Sequence, residues 1–413
     1  MTPAVTLGLA MFLPAFGTHG LTAGRGALAA SLGIDPGDWR MGLVMAVFAL
    51  ASITAYALAG RLGDRHGLSR GLHLGVAGFL VAHALILVSP RLAELLACPA
   101  WILFLGLRLV AGFAGGAITV SANALGAALY PPGERGRALS LVWLGVPLAL
   151  VVGVPLPGYL AATWSRLSPG VREWIGEPYA AVATLAALIV LPLARAVLPR
   201  GEPVAQAPES SESTASLPPL RATWWVYATS LLLPLGVFPL IVSAEPYSER
   251  AFGFAPAQRG HLFLLLGVAS VGGGLLSGAI ADRLGRRRTL LVAAGSFALL
   301  TPLLPSCGAA AYVALAALLG FVSTMRQGPF QALASCVADS SGRGRLSARV
   351  LIASQVGISL GQFAGIALVR AGASDAAPSL STVAACSTAA TAAAWLLALK
   401  LREPARPARD IAR

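Results

Sequence analysis

Among the ionisable side chains inside or beside long apolar stretches, His19, Arg108, Glu245 and Arg326 are the ones placed to do chemistry. An arginine in hydrocarbon costs about 3 kcal/mol or more unless it meets a partner, water or an anion. Arg108 and Arg326 therefore read in one of two ways. Each either faces a polar cavity, where it can contact a solute or couple to a proton, or donates to backbone carbonyls where helices pack. A cavity-facing Arg326, followed by Gln327, would suit an anionic or strongly polar ligand. Glu245 is the acidic residue placed at a span away from the basic loops, which makes it a candidate proton carrier; the pair Glu245-Pro246 also reads as the start of a loop. His19 is of the type that exchanges protons near neutrality. Asn123, Gln355 and Gln362 are neutral donors and acceptors that either line a path or tie helices together.

The elements that must hold these groups are membrane helices. With 56% hydrophobic and 11% charged residues, the chain has too little charge to cover a water-facing surface, for which roughly a quarter is usual. About 20 apolar residues cross a hydrocarbon core. Twelve such stretches are expected, at Ala4–Ala30, Met41–Gly60, Leu72–Ser89, Trp101–Leu125, Ala138–Ala162, Trp174–Leu193, Trp224–Ala244, His261–Ala281, Thr289–Leu304, Ala309–Val337, Val350–Val369 and Leu380–Leu401. The first starts next to Met1 without a basic leader and reads as a retained anchor rather than a cleaved signal. If the N-terminus is cytoplasmic, roughly twenty basic residues fall on the inner side and roughly eight on the outer, as the positive-inside rule requires. The expected placement is the plasma (inner) membrane, multi-pass, with both termini cytoplasmic. The net charge of +13 is thus a matter of topology, and no nucleic-acid partner is expected.

Several chemistries are not expected. The only lysine is Lys400, so no G-x-x-x-x-G-K-[ST] phosphate loop exists, and the five histidines form no H-E-x-x-H. Cys98, Cys307, Cys336 and Cys386 are scattered, which indicates neither a disulfide framework nor a metal site. The chain reads as a non-enzyme without a cofactor or metal.

The chain also repeats itself. Gly60-Arg61-Leu62-Gly63-Asp64-Arg65-His66-Gly67 follows the second span, and Gly278-Ala279-Ile280-Ala281-Asp282-Arg283-Leu284-Gly285-Arg286 follows the eighth. A further pair, Glu134-Arg135-Gly136-Arg137 and Gly342-Arg343-Gly344-Arg345, follows the fourth and tenth. Such matched loops are the mark of an internal duplication. The Pro/Ser/Glu-rich run between the sixth and seventh spans has no apolar period and reads as a linker. Residues 1–198 are then expected to form one six-helix bundle, 199–221 a cytoplasmic linker, 222–401 a second bundle and 402–413 a basic cytoplasmic tail.

These loops resemble G-x-x-x-D-[RK]-x-G-[RK]-[RK], the best-known motif of the major facilitator superfamily; the first copy departs at Leu68-Ser69. The resemblance covers essentially the whole chain. Three local features are similar to the twelve-span drug:proton antiporter branch. They are Arg108 with Gly112, the fifth-span run Gly145…Gly153-Val154-Pro155-Leu156-Pro157-Gly158, and the first-helix exit Ala29-Ala30-Ser31-Leu32-Gly33. The resemblance implies a monomeric secondary transporter of a small molecule, working by alternating access in the lipid bilayer, with proton-coupled efflux as the first reading. An importer of a small, possibly anionic metabolite is the second, and a non-transporting sensor a remote third. It also implies that Gly60, Asp64, Arg65, Gly67, Gly278, Asp282, Arg283, Gly285 and Arg286 form a latch between the halves. The branch usually carries an acidic residue near the level of Thr18, and this chain has none there. If the latch works as the resemblance implies, Asp64→Asn lowers transport at unchanged expression; normal transport rates in that variant would remove the latch.

Overall fold

The structure is a computed structural model that describes residues 2–22, 25–35, 37–130, 138, 141–164, 166–168, 171, 176, 178–198, 220–335, 337, 343–371 and 376–401. The described residues are helical almost throughout and contain no strand. Ten of their helices are long and apolar enough to cross a membrane. The other two places in the expected series of twelve hold irregular elements, for local reasons.

In the first place, one span over Ala4–Ala30 was expected. The structure instead has a 17-residue helix, Pro3–His19, a break, and a short helix Arg25–Ser31. The break falls where Gly17, Gly20, Gly24 and Gly26 dilute helix propensity. In the fifth place, Gly145–Leu148 runs into a π-helical turn, Ala149–Gly153, and then Pro155–Trp164. Pro155 has no N–H for the carbonyl four residues back. The ladder slips by one residue instead, and the Val154 N–H donates to the Ala149 carbonyl at 2.9 Å. The bend expected from Pro147, Pro155 and Pro157 is thus a π-turn.

Two further boundaries differ. The seventh helix, Leu220–Phe252, continues past the expected end at Ala244 although it contains Pro234, Pro239 and Pro246. The tenth place is interrupted at Arg326, between Ala309–Met325 and Gln327–Ser335. Pro329 removes the N–H that the Met325 carbonyl would accept. The Ser277 hydroxyl of the eighth helix donates to that carbonyl instead, at 2.8 Å.

The helices form two bundles with one packing plan. The first helix packs on the fifth and sixth, the second on the fourth, and the third on the fourth and sixth. The seventh packs likewise on the eleventh and twelfth, the eighth on the tenth, and the ninth on the tenth and twelfth. Between the bundles the second helix packs on the eleventh and the fifth on the eighth, which are equivalent pairs in the repeat. Even the turns repeat. Gly67 joins the second and third helices at φ 88°, ψ 137°, and Gly285 joins the eighth and ninth at φ 91°, ψ 145°, a conformation essentially restricted to glycine.

Small residues set the closest approaches. A side chain at Gly145 would overlap the Gly8 carbonyl and Phe12 N, and one at Gly357 would overlap the Leu231 carbonyl. Gly361 and Gly365, next on the same face of the eleventh helix, meet Phe238, Pro239 and Val242 of the seventh. With no gain from water exclusion inside lipid, this backbone-to-backbone fit is a main source of association. Gly145→Val is therefore expected to destabilise the first bundle by about 1–3 kcal/mol, seen as a lower unfolding temperature of the purified protein; an unchanged temperature would mean that the fifth helix can move away freely.

Candidate functional site

A line of polar contacts crosses from one bundle to the other. It runs from mid-helix toward the end of the molecule that carries the 20–38 loop, the end expected from charge to be outer. Deepest, Gln355 of the eleventh helix donates to the Tyr56 hydroxyl of the second at 2.8 Å. One turn on, the Ser359 hydroxyl reaches the Ala46 carbonyl at 3.4 Å and its own helix at the Gln355 carbonyl at 2.9 Å. Gln362 then donates to the Thr18 carbonyl at 3.0 Å, an acceptor left open by the end of the first helix. His19 stacks on Phe238 of the seventh helix, ring centres 5.2 Å apart. Three buried atoms along this seam have no hydrogen-bond partner: His19 Nδ1, Gln355 Oε1 and Gln362 Oε1.

The seam ends in a charged cluster. Glu245 lies inside the seventh helix, only 4% exposed, so it does not begin a loop. Its carboxylate is 3.6 Å from Nη1 of Arg259 on the eighth helix, and the same guanidinium engages the exposed Glu249. Arg25 of the first bundle acts on Glu245 as well, and its Nη1 donates to the Val242 carbonyl at 3.2 Å. Pro246 explains that bond, since it lacks the N–H that would otherwise take the Val242 carbonyl. Arg25 falls within the stretch expected as the first span; it is 2% exposed and lies between the bundles. Proline four residues after a carbonyl was the signal in the sequence that could have found it.

Arg108 belongs wholly to the first bundle. It is completely buried, and its guanidinium reaches the Gly17 carbonyl at 2.6 Å, the Tyr179 hydroxyl at 2.8 Å and the Val44 and Met45 carbonyls at 3.4 Å. Tyr179 in turn meets His83 Nε2 at 2.8 Å. One side chain thus ties the fourth helix to the first, second and sixth, and through Tyr179 to the third. Arg326 is equally buried in the second bundle but among the described residues makes a single hydrogen bond, to the Leu233 carbonyl at 2.7 Å. Its guanidinium lies 4.9 Å from the Phe297 ring centre.

The other candidates lie apart from the seam. Asn123 is half-buried and donates to the Thr119 carbonyl of its own helix at 3.0 Å, and Gln327 is exposed. In the loops, Gly67 and Gly285 take the paired turns, while Gly278, Arg283 and Arg286 are exposed. The side chains of Asp64, Arg65 and Asp282 and the burial of Gly60 and Gly158 lie outside what is described; so do the Glu134–Arg137 loop and nearly all of the 199–221 and 402–413 segments. In the fifth helix a side chain at Gly153 would strike Phe16, and Pro155 sits just past the π-turn. Gly357-Ile358-Ser359-Leu360-Gly361 spells G-x-S-x-G, but it lies within one continuous helix. It offers none of the strand-to-helix exposure that a nucleophile elbow needs.

Two helical bundles of one plan, meeting along a mostly apolar face with a polar seam, define a membrane carrier fold. A sequence profile of the Major Facilitator Superfamily matches residues 5–362 and 230–411, and the chain belongs to that superfamily. It is similar to the fatty acid resistance protein FarB of Neisseria gonorrhoeae, 29% identical over 162 residues, which is 39% of this chain and 29% of that protein. It is also similar to the chloramphenicol resistance protein of Streptomyces lividans, 29% identical over 273 residues, 65% of this chain and 62% of that one. The matches span less than two thirds of either relative. In three dimensions the chain resembles the xylose transporter XylE from E. coli in its inward-open conformation, with a TM-score of 0.72 at 15% identity over 98% of this chain and 96% of that one.

The contrast between the two buried arginines can be measured. Arg108→Met orphans several buried acceptors and is expected to cost about 2–4 kcal/mol, whereas Arg326→Met orphans one and should cost less. Thermal unfolding of the two purified variants checks the order, and equal losses would deny Arg108 its role as the tie of the first bundle.

Proposed function

We propose that the protein is a secondary active transporter that exports a small molecule by alternating access, driven by inward proton flow. The observation that carries this reading is the seam itself. Among the described residues its hydrogen bonds join the two bundles only from mid-helix to the end where the first and second helices connect, and each can be broken by a rocking motion without disturbing either bundle. Such a motion about a central site is how repeated-fold carriers work. Efflux is favoured by the fifth-helix Gly/Pro run and by the resistance relatives.

In this reading the substrate path opens where Tyr56, Gln355, Gln362 and His19 line the join, because the unpaired polar atoms of His19, Gln355 and Gln362 suit a polar ligand and cost free energy without one. Glu245 is the carboxyl that carries the proton. It is buried between Arg25 and Arg259, one from each bundle, so parting the bundles strips it of a cation and favours protonation. The charge asymmetry puts both termini in the cytoplasm and the Glu245 cluster at the outer face, in contact with the proton reservoir. The Asp64 and Asp282 loops form the opposing inner latch.

A second reading, an importer of a small anionic metabolite, draws on Arg326 and on the missing acidic residue near Thr18. Everted membrane vesicles separate the two. With a pH-gradient probe present, a panel of compounds is added in turn, and proton-coupled export predicts that some compound collapses the gradient only when the protein is present. Glu245→Gln should abolish that response. No response across the panel, together with uptake by intact cells that depends on the protein, would replace export with import.

A further inference from the structure

We propose that Arg326 is the centre of an anion-binding site inside the second bundle, one that takes a compact monoanion, either a halide or a single carboxylate group. The case rests on a comparison between two arginines with the same burial. Arg108 directs Nε, Nη1 and Nη2 at oxygens and stacks over Phe48 at 4.9 Å. Arg326 has the same kind of ring beneath it, at the same 4.9 Å, but only Nη2 has an acceptor. Nε and Nη1 are buried without a hydrogen-bond partner.

Ring contact cannot replace those bonds. A cation–π contact contributes about 0.5–2 kcal/mol, whereas an uncompensated buried ion costs several. Among the described residues no carboxylate lies within salt-bridge distance of Arg326. The two faces of the comparison match otherwise. Counted from the paired turns at Gly67 and Gly285, Phe297 under Arg326 occupies the position of Phe79 in the first bundle, and Phe79 meets Phe48 edge-on. The first bundle closes its arginine with Tyr179; the second supplies no equivalent hydroxyl to Arg326.

A second set of unpaired groups lies one helical turn away. Leu233, which accepts from Arg326, precedes Gly236 by three residues on the seventh helix, so the two share a face. A side chain at Gly236 would strike Thr391 Oγ1. The Thr391 and Ser387 hydroxyls are both buried and both without a partner. Buried guanidinium and hydroxyl donors without partners, and with no carboxylate on the guanidinium among the described residues, are the chemistry that binds a halide or a carboxylate. The helix is interrupted between Met325 and Gln327 at Arg326, and Gln327 and Gly328, next in the chain, are exposed.

The halide arm is independent of the transport reading; the carboxylate arm rests on it, since that group would belong to the transported molecule. The test uses the purified full-length protein in detergent and follows thermal unfolding as chloride replaces gluconate at constant ionic strength, then as benzoate is added in gluconate. A ligand at ten to thirty times its dissociation constant should raise the midpoint by about 2–4 °C. Saturation by chloride identifies an inorganic ion, and saturation by benzoate without a chloride effect identifies a carboxylate ligand. In either case Arg326→Gln abolishes the shift. If that variant does not fold, Arg326→Lys serves, with the half-saturating concentration raised roughly tenfold. Ser387→Ala with Thr391→Ala should weaken binding without removing it. No saturable shift with either anion in the folded wild type overturns the site, whatever the vesicle assay shows, and so does a shift that persists in Arg326→Gln.

Discussion

Inside a bilayer, a backbone carbonyl released by a helix end or a proline can be satisfied only by another part of the protein, and the chain's working contacts follow from this one constraint. Pro246 frees the Val242 carbonyl and Arg25 takes it; Pro329 frees Met325 and Ser277 takes it. The first helix stops at His19, and its last carbonyls go to Arg108 from within the bundle and to Gln362 from across the join. Broken helices would be a liability in hydrocarbon if the donors were not in place. Here they fix which helices must be neighbours, and they mark where the bundles touch.

The two kinds of donor have different consequences. Among the described residues Arg108 makes all its hydrogen bonds inside one bundle, which ties the first, second, fourth and sixth helices directly, and the third through Tyr179, into a unit that can move as a body. Gln355, Ser359, Gln362 and Arg25 reach across, with one hydrogen bond or two apiece, so the join is held by contacts of about 0.5–1.5 kcal/mol each. A rigid interior and a weak, polar join are what a rocking carrier requires. Glycines do the complementary work, since Gly145 of the fifth helix against the first, and Gly357 of the eleventh against the seventh, allow contacts so close that the helices cannot separate without losing much of their packing.

Much of this was legible in the sequence, for physical reasons. Apolar length alone places the spans, because the bilayer sets it, and the duplicated loops reveal the two bundles because Gly67 and Gly285 must take the same glycine-only turn. Local composition was misleading where backbone chemistry prevailed over hydropathy. Ala4–Ala30 reads as a single apolar stretch, yet its glycines break it; Glu245-Pro246 reads as a loop start, yet tertiary packing carries the helix through to Phe252. Arg25 was not found because its hydrogen bond goes to a carbonyl and its acidic neighbour, Glu245, lies in the other bundle, and nothing in a local charge pattern shows either. The different fates of Arg108 and Arg326 were likewise invisible, since they depend on acceptors supplied by distant helices.

The central claim is that the bundles meet at the seam and part there during each cycle. A β-carbon at Gly42 of the second helix would lie 3.6 Å from the Cα of Phe363 on the eleventh, which brings the two positions near enough for a disulfide to be attempted between them. The direct test places Gly42→Cys and Phe363→Cys in a background free of the four native cysteines and measures substrate flux in vesicles before oxidation, after oxidation and after reduction. If the join must open, oxidation arrests flux and reduction restores it; full flux through the cross-linked protein would mean that transport proceeds with the seam closed, and the rocking mechanism would be wrong.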